Sequence, residues 1–240
     1  MSQSTTNESL SQAANYGTWP PAWQLDKKFC KIFAPYSRAK DYISGRPLPE
    51  LWDINNGCIL WLPARVEIED KIIPGSEVDQ KDDGFFNHPV VVLKVELLSP
   101  TAALLTFAKM TSFGHRNLQE AKTAPHWQYY LPITPSAPHP TNGVLLDLEN
   151  PKDKRSMKEY SHISLEGTFT LNFTAFRCYA EGQRADGYRH RLTKDSFDQL
   201  AQSLRMEPGI WIKTDALWET FEKYLESQNY FGLSAALAFQ

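Results

Sequence analysis

The chain has 240 residues and a mass of 27.4 kDa, with 42% hydrophobic, 12% aromatic and 22% charged residues. This composition predicts a folded protein with a sizeable core, and it excludes an intrinsically disordered chain and a disulfide-stapled miniprotein. The 25 basic side chains are outnumbered by 28 acidic ones, for a formal charge of -3, so no global positive field attracts nucleic acid. Any contact with RNA or DNA must come from a local patch.

The cysteines and the N-terminal residues indicate the compartment. Cys30, Cys58 and Cys178 are too few and too widely spaced for a disulfide framework or a paired zinc site, which favours a reducing environment. The first residues are polar and lack the apolar run of a secretory signal, and no later stretch reaches the roughly 20 apolar residues of a membrane span. We expect an intracellular protein, cytoplasmic or nuclear, without membrane contact.

The first elements of the chain are predicted to be irregular, and strands follow them. Residues 1–18 form a predicted disordered polar tail, and residues 19–56 an N-terminal extension with aromatic anchors but no clear period. The apolar run at 58–62 and the β-branched run at 90–95 are both typical of buried strands. The loop between them, residues 67–87, is too charged for a core and is predicted to face solvent.

The middle of the chain alternates between strand-like and irregular patterns. A third apolar run at 102–107 completes a predicted β-meander. Regular patterning then fails at 115–154, where prolines alternate with aromatic residues, so we expect a long insertion packed against the domain. Residues 168–176 alternate between apolar and polar side chains and predict a half-buried strand.

The C-terminal part predicts two helices. Thr193 is a good N-cap, and the apolar positions after it share one face of a helix: Phe197, Leu200, Ala201 and Leu204. A second helix is predicted to begin at Thr214 or Asp215, within a helical extension that covers residues 207–240.

Four motifs together carry a resemblance to a known family. They are GCILWLP at 57–63, a loop containing Gly-Ser-Glu at 75–77, NHPVVVL at 87–93 and AKMTS at 108–112. In this order they resemble the PemK/MazF family of plasmid-maintenance toxins. The resemblance implies a mainly β (α+β) fold, in which residues 57–206 form an SH3-like barrel with a closing helix. It also implies cleavage of single-stranded RNA without a metal ion, and a homodimer.

The resemblance implies a catalytic set. In the family, an arginine before the strand proline supplies charge or acid, and a hydroxyl residue at the end of the next strand touches the phosphate. Here the arginine is replaced by a histidine, which can transfer a proton but gives no permanent clamp on phosphate. The loop also supplies an acid, for which three residues are possible. The implied set is His88, Thr111, Ser112 and one of Glu77, Asp82 and Asp83.

Substrate contacts are predicted in two places. His115 and Arg116 closely follow the hydroxyl pair and are candidate phosphate ligands. Arg177, Arg189 and Arg191 are interleaved with aromatic residues, a pattern that can follow an RNA backbone and stack bases. The alternative for this second group is an ordinary charged turn.

Two functions stay open. One is a metal-independent endoribonuclease for single-stranded RNA. The other is a catalytically inactive barrel that binds a protein, a peptide or RNA, which the acidic loop favours because it repels phosphodiesters. In the second case His88 is a loop residue and the strand-end hydroxyls bind nearby backbone groups. No spacing matches a metal site and no nucleotide-binding loop is present, so we expect neither a metal nor a cofactor.

Overall fold

The computed structural model describes residues 45–49, 51, 54–99, 102–149, 157, 159–179 and 190–212. Within these residues the chain is mainly antiparallel sheet with a few short helices, which confirms the α+β expectation. The polar tail, most of the N-terminal extension and the second C-terminal helix lie outside the described residues.

Seven strands of the described chain form one sheet. They are β1 Ile59–Leu62, β2 His88–Ser99, β3 Ala102–Thr111, β4 Tyr130–Ile133, β5 Ser161–Ser164, β6 Phe169–Asn172 and β7 Arg177–Cys178. Their order is β4-β5-β3-β2-β1-β7, and β6 also pairs with β3. The end strands β4 and β7 do not pair with each other, so the described strands form an open sheet and not the closed cylinder that a barrel requires.

The two aliphatic runs predicted as strands are neighbours in this sheet. Leu60 of β1 pairs with Val90 of β2, and the pairing ends with Leu62 opposite His88. On its other side β2 pairs with β3, where Val90 lies opposite Lys109. The end of β3 and the start of β2 therefore meet at the same end of the sheet, because the two strands are antiparallel.

The sheet is covered on both faces. We call the face that carries Leu60, Val90 and Phe107 the first face; it packs against buried residues of the 67–87 loop and of the β6 region. The opposite, second face carries Ile59 and Val91 and packs against the second core, which is formed by these residues: Leu131, Ile133, Leu146, Ile163, Leu192, Phe197 and Leu200. Burial on both faces explains why the central strands are continuously aliphatic and do not alternate with polar residues.

The 67–87 loop differs from its prediction. Its charged side chains are mostly exposed, but Ile68, Val78, Phe85 and Phe86 are buried in the first-face core. Short helical segments hold these residues in place: α1 Arg65–Ile68 and two 3-10 turns, Glu69–Lys71 and Asp83–Phe85. The loop is a cover for the sheet, since its apolar residues face inward while its charges face solvent.

The proline-rich segment is part of the sheet. It contains two four-residue helices, α2 Leu118–Ala121 and α3 Ala124–Trp127, and then the edge strand β4, which pairs with β5. All four residues of β4 are buried, including Pro132. The segment thus contributes an edge strand to the sheet, which was not predicted.

The later elements follow the predictions closely. Within the strand predicted at 168–176, the chain forms β6 and then a 3-10 turn at Phe173–Ala175. The helix α4, Lys194–Ser203, begins after the predicted cap, and the Thr193 side chain accepts a hydrogen bond from the Ser196 amide. Phe197, Leu200 and Ala201 are buried on its inner face, as the spacing predicts.

Candidate functional site

His88 opens β2 at one end of the sheet and is half-buried. Burial lowers the pKa of its imidazole, and the nearby Lys109 ammonium lowers it further, while the Gly84 carbonyl offsets part of this decrease. A pKa below the ordinary value of 6.5 keeps the ring neutral at pH 7. In that state the imidazole can accept a proton.

Lys109 stands beside His88 on the first face. Its Nζ donates a hydrogen bond of 3.4 Å to the carbonyl oxygen of Gly84, the same group that influences the imidazole. Burial lowers the pKa of the ammonium, and the carboxylates of Asp82 and Glu166 offset part of this decrease. A partly desolvated ammonium attracts an anion more strongly than a fully hydrated one does.

Thr111 ends β3. Extending the β2–β3 register by two residues from Lys109 places Thr111 opposite His88, with both side chains on the first face. Its Oγ1 accepts a hydrogen bond of 3.3 Å from the backbone amide of Phe113. Ser112 is half-buried, and its carbonyl accepts a hydrogen bond from the Arg116 amide. We call His88, Lys109, Thr111 and Asp82 the His88 cluster.

On the other side of Thr111 stands a second histidine, His162 of β5, which pairs directly with it. Its side chain is fully buried, and burial lowers its pKa to about 4 against an opposing effect from the Thr111 backbone. Within the described residues, neither ring nitrogen meets a partner at hydrogen-bonding geometry. The sequence analysis gave His162 no role, because nothing in the short motif SHIS indicates burial of the ring.

The ring of Phe113 covers His162. The two ring centroids are 5.0 Å apart, and Phe113 also meets Tyr130 edge-on at 5.0 Å. The Lys122 ammonium lies 5.3 Å from the centre of the Phe113 ring. These four residues form an aromatic group next to Thr111, at the β5 side of the His88 cluster.

Of the three candidate loop acids, Asp82 is the one that acts on the cluster, through its charge on Lys109. Asp83 lies in the 3-10 turn that follows. Glu77 is exposed, and none of the contacts described for His88, Lys109 or Thr111 involves it. Of the three alternatives, the structure therefore favours Asp82 over Glu77 as the carboxylate near His88 and Thr111.

His115 and Arg116 are exposed on the turn after β3. The His115 ring lies 3.2 Å from a carboxylate oxygen of Glu159, and the Arg116 side chain donates a hydrogen bond of 2.9 Å to the Phe113 carbonyl. Both side chains are accessible, and these contacts join them to neighbours on their own turn and just before β5.

The two described arginines of the predicted patch are buried. Arg177 is 4% exposed and Arg191 is 1% exposed. Arg177 donates to the carbonyls of Thr174 and Phe176 at 2.8 and 2.6 Å. Arg189 lies outside the described residues.

Arg191 is held as tightly as Arg177. It donates to the carbonyls of Asn56 and Ile212 at 3.0 and 2.8 Å, and its guanidinium lies over the Trp211 ring. The two described arginines are thus bound to backbone carbonyls, which leaves them no exposed surface for an RNA strand. This corrects their prediction as substrate contacts.

Two further observations complete the site. In the described part of the chain no group of three or more His, Cys, Asp or Glu side chains is arranged to hold a metal ion. No helix among the described residues is both long and apolar enough to cross a bilayer.

No protein-family model, curated protein or solved structure matches this chain.

Proposed function

We propose that this chain cleaves single-stranded RNA without a metal ion, at the His88 cluster. The observation that carries the proposal is the shared Gly84 carbonyl, which sets a neutral imidazole and a partly desolvated ammonium side by side on one sheet face. A base and a cation are the groups that phosphodiester cleavage by a ribose hydroxyl requires.

The proposed reaction is an internal transfer. His88 accepts the proton of the ribose 2′-hydroxyl, and the 2′ oxygen forms a bond to phosphorus while the bond from phosphorus to the 5′ oxygen breaks. The Lys109 ammonium stabilises the charge on the phosphoryl oxygens and protonates the leaving 5′ oxygen, for which its lowered pKa suits it. The products are a 2′,3′-cyclic phosphate and a free 5′-hydroxyl. Transfer of the proton from His88 to Lys109 through water restores the site.

The resemblance to the PemK/MazF family supports this assignment. The motif residues of 57–63, 87–93 and 108–112 lie on β1, β2 and the end of β3, which are adjacent strands. In the proposal these three strands correspond to the core of the family's SH3-like barrel, and the edge strand β4 is an addition. The family's homodimer and a cytoplasmic or nuclear location are part of the same proposal.

The test is incubation with single-stranded RNA in the presence of a chelator. The wild-type chain is compared with His88→Ala and Lys109→Met, and with Lys94→Met as the matched control. Lys94 lies on the same hairpin but is exposed and paired with Glu96 at 3.4 Å, so its loss removes the same charge away from the cluster.

We expect cleavage by the wild type and the Lys94 variant, with products that end in a cyclic phosphate, and loss of cleavage in the other two variants. Absence of cleavage in every sample would remove the nuclease proposal. Equal cleavage by wild type and His88→Ala would remove His88 from the mechanism.

A second candidate is a binding module without catalysis. It is favoured by the carboxylates of Asp82 and Glu166, whose charges act on Lys109 and repel a phosphodiester. In that case the same assay shows no cleavage, whereas retention of labelled RNA, measured by filter binding at low salt, persists and decreases in Lys109→Met. A protein or peptide partner instead of RNA predicts neither cleavage nor retention.

A further inference from the structure

The ring of Phe113 occupies a slot with three walls. Tyr130 meets the ring edge-on with an interplanar angle of 79°, and His162 lies against it at 42°. The Lys122 ammonium lies 5.3 Å from the Phe113 ring and 5.7 Å from the Tyr130 ring. Removal of the Phe113 ring would thus leave a space bounded by an aromatic ring, an imidazole and a cation.

The back wall of the slot has unused hydrogen-bonding capacity. His162 is fully buried, and the Thr111 backbone is close enough to oppose the decrease in its pKa, but neither ring nitrogen meets a partner at hydrogen-bonding geometry within the described residues. A neutral imidazole offers one donor and one acceptor. Buried polar groups are nearly always hydrogen-bonded. The two unpartnered ring nitrogens of His162 lie next to the Phe113 ring and therefore indicate a position at which a polar ligand can bind.

The backbone of Phe113 adds an independent indication. Its φ is 50°, in the left-handed region that a bulky side chain rarely adopts. The next two residues, Gly114 and His115, also have positive φ values of 65° and 66°. The turn thus holds Phe113 in an unfavourable backbone conformation, of the kind that clusters at binding and active sites.

We propose that this slot is a binding site for a pyrimidine base and that Phe113 is its internal occupant. A pyrimidine has a planar six-membered ring of the size that the phenyl group fills, and its edge carries the donor and acceptor atoms that can pair with His162. Tyr130 supplies the aromatic contact, and Lys122 lies where it can meet the nucleotide's phosphate. Base stacking on aromatic side chains is a common basis of single-strand recognition.

The inference deepens the proposed function, because the slot is next to Thr111 and would hold a base of the same RNA strand. It does not need cleavage, however. A nucleotide can bind in the slot of a protein that has no nuclease activity, so binding and cleavage are measured separately.

The test opens the slot with Phe113→Gly, since glycine accepts a φ of 50° without strain. Binding of UMP, CMP, AMP and GMP is measured by calorimetry on the full chain. We expect the open variant to bind UMP or CMP at least tenfold more tightly than the wild type, and more tightly than AMP or GMP. Phe169→Ala is the matched control, because Phe169 also lies beneath a lysine, Lys81 at 4.7 Å, but does not cover a buried histidine.

A second substitution tests the role of the imidazole. In the open variant, His162→Leu is expected to abolish the gain in UMP binding, whereas His162→Gln, which keeps a donor and an acceptor, is expected to retain part of it. Circular dichroism establishes that each variant is folded. If Phe113→Gly does not fold, the wild type is titrated with UMP while the His162 ring resonances are followed by NMR, and a saturable shift is expected.

Several results overturn the inference. An open variant that binds no nucleotide, or a wild type without a saturable shift where the variant does not fold, removes the site. Equal gains in Phe113→Gly and Phe169→Ala show unspecific binding, and equal binding of purines removes the pyrimidine assignment. RNA cleavage without nucleotide binding would contradict the pyrimidine site but not the nuclease proposal. Nucleotide binding without RNA cleavage would contradict the nuclease proposal but not the pyrimidine site.

Discussion

Two histidines flank Thr111 on the same sheet face, and their surroundings differ. His88, at the β2 side, is half-buried beside a lysine and a carbonyl. His162, at the β5 side, is fully buried under Phe113 and has no partner for its ring nitrogens among the described residues. Burial lowers the pKa of both rings, but His88 is only half-buried, and its pKa is also lowered by the Lys109 ammonium. Both are histidines in strands beside Thr111, so residue type and strand position do not distinguish them. Solvent exposure and neighbouring side chains make His88 a candidate general base and His162 a candidate recognition group.

The largest effect expected from this difference concerns RNA cleavage. His88→Ala should lower the cleavage rate by about 10²- to 10⁴-fold, the usual contribution of a general base. His162→Gln should lower the cleavage rate by less than about tenfold, because it weakens binding of one nucleobase while His88 remains as the general base. Single-turnover rates on an RNA oligonucleotide measure both. The reverse ranking would exchange the two roles.

The second prediction applies the same distinction to arginines. Arg191→Met should decrease the free energy of unfolding by about 3 kcal/mol or more, because it leaves two backbone carbonyls and the nearby Glu149 without their buried cation. Arg116→Met, at an exposed position, should change it by less than about 0.5 kcal/mol. Urea denaturation of both variants provides the measurement. A stable Arg191 variant would mean that its hydrogen bonds contribute little.

The third prediction is an acid sensitivity centred on His162. Its pKa is about 4 in the folded chain, against 6.5 for an ordinary histidine, so the unfolded chain binds the proton first as the pH falls. The stability present above pH 6.5 is therefore lost progressively down to about pH 4, by up to about 3 kcal/mol. Unfolding free energies at pH 7 and pH 4.5 test this.

The matched comparison for this acid sensitivity is His162→Gln, which should show a smaller decrease between the two pH values because its side chain does not titrate. His88→Gln should retain most of the wild-type decrease. If the His162 variant is as acid-sensitive as the wild type, His162 is already protonated or hydrated in the folded protein.

The sequence predicts the elements whose pattern is local. The strands β1 and β2 follow from short aliphatic runs, and α4 follows from a cap and an apolar face within one segment. The strand β4 could not be predicted, since its contacts with β5 replace the alternation that a half-buried strand would show. Arg191 is buried because the carbonyl of Asn56 accepts its hydrogen bond, and that residue is 135 positions earlier in the chain.

In the candidate site, too, some features follow from local sequence and others from contacts between distant residues. The family resemblance grouped His88 and Thr111 in one catalytic set, and the strand register places them opposite each other. Neither Lys109 nor His162 was assigned a role. The position of Lys109 depends on the Gly84 carbonyl, and the burial of His162 depends on the Phe113 turn. Such roles depend on the tertiary contacts of a side chain, which residue types along a strand do not encode.

The smallest expected effect concerns the coupling within the His88 cluster. The positive charge of Lys109 lowers the pKa of the His88 imidazole, so Lys109→Met should raise that pKa toward 6.5. Burial is the larger cause of the decrease and persists in the variant, so the pKa should rise only part of the way. The His88 ring resonances followed by NMR between pH 4 and 8 measure it, with Lys94→Met as the control that leaves the titration unchanged. An unchanged His88 pKa in Lys109→Met would separate the two side chains electrostatically, and the imidazole and the ammonium could then no longer be treated as one cluster.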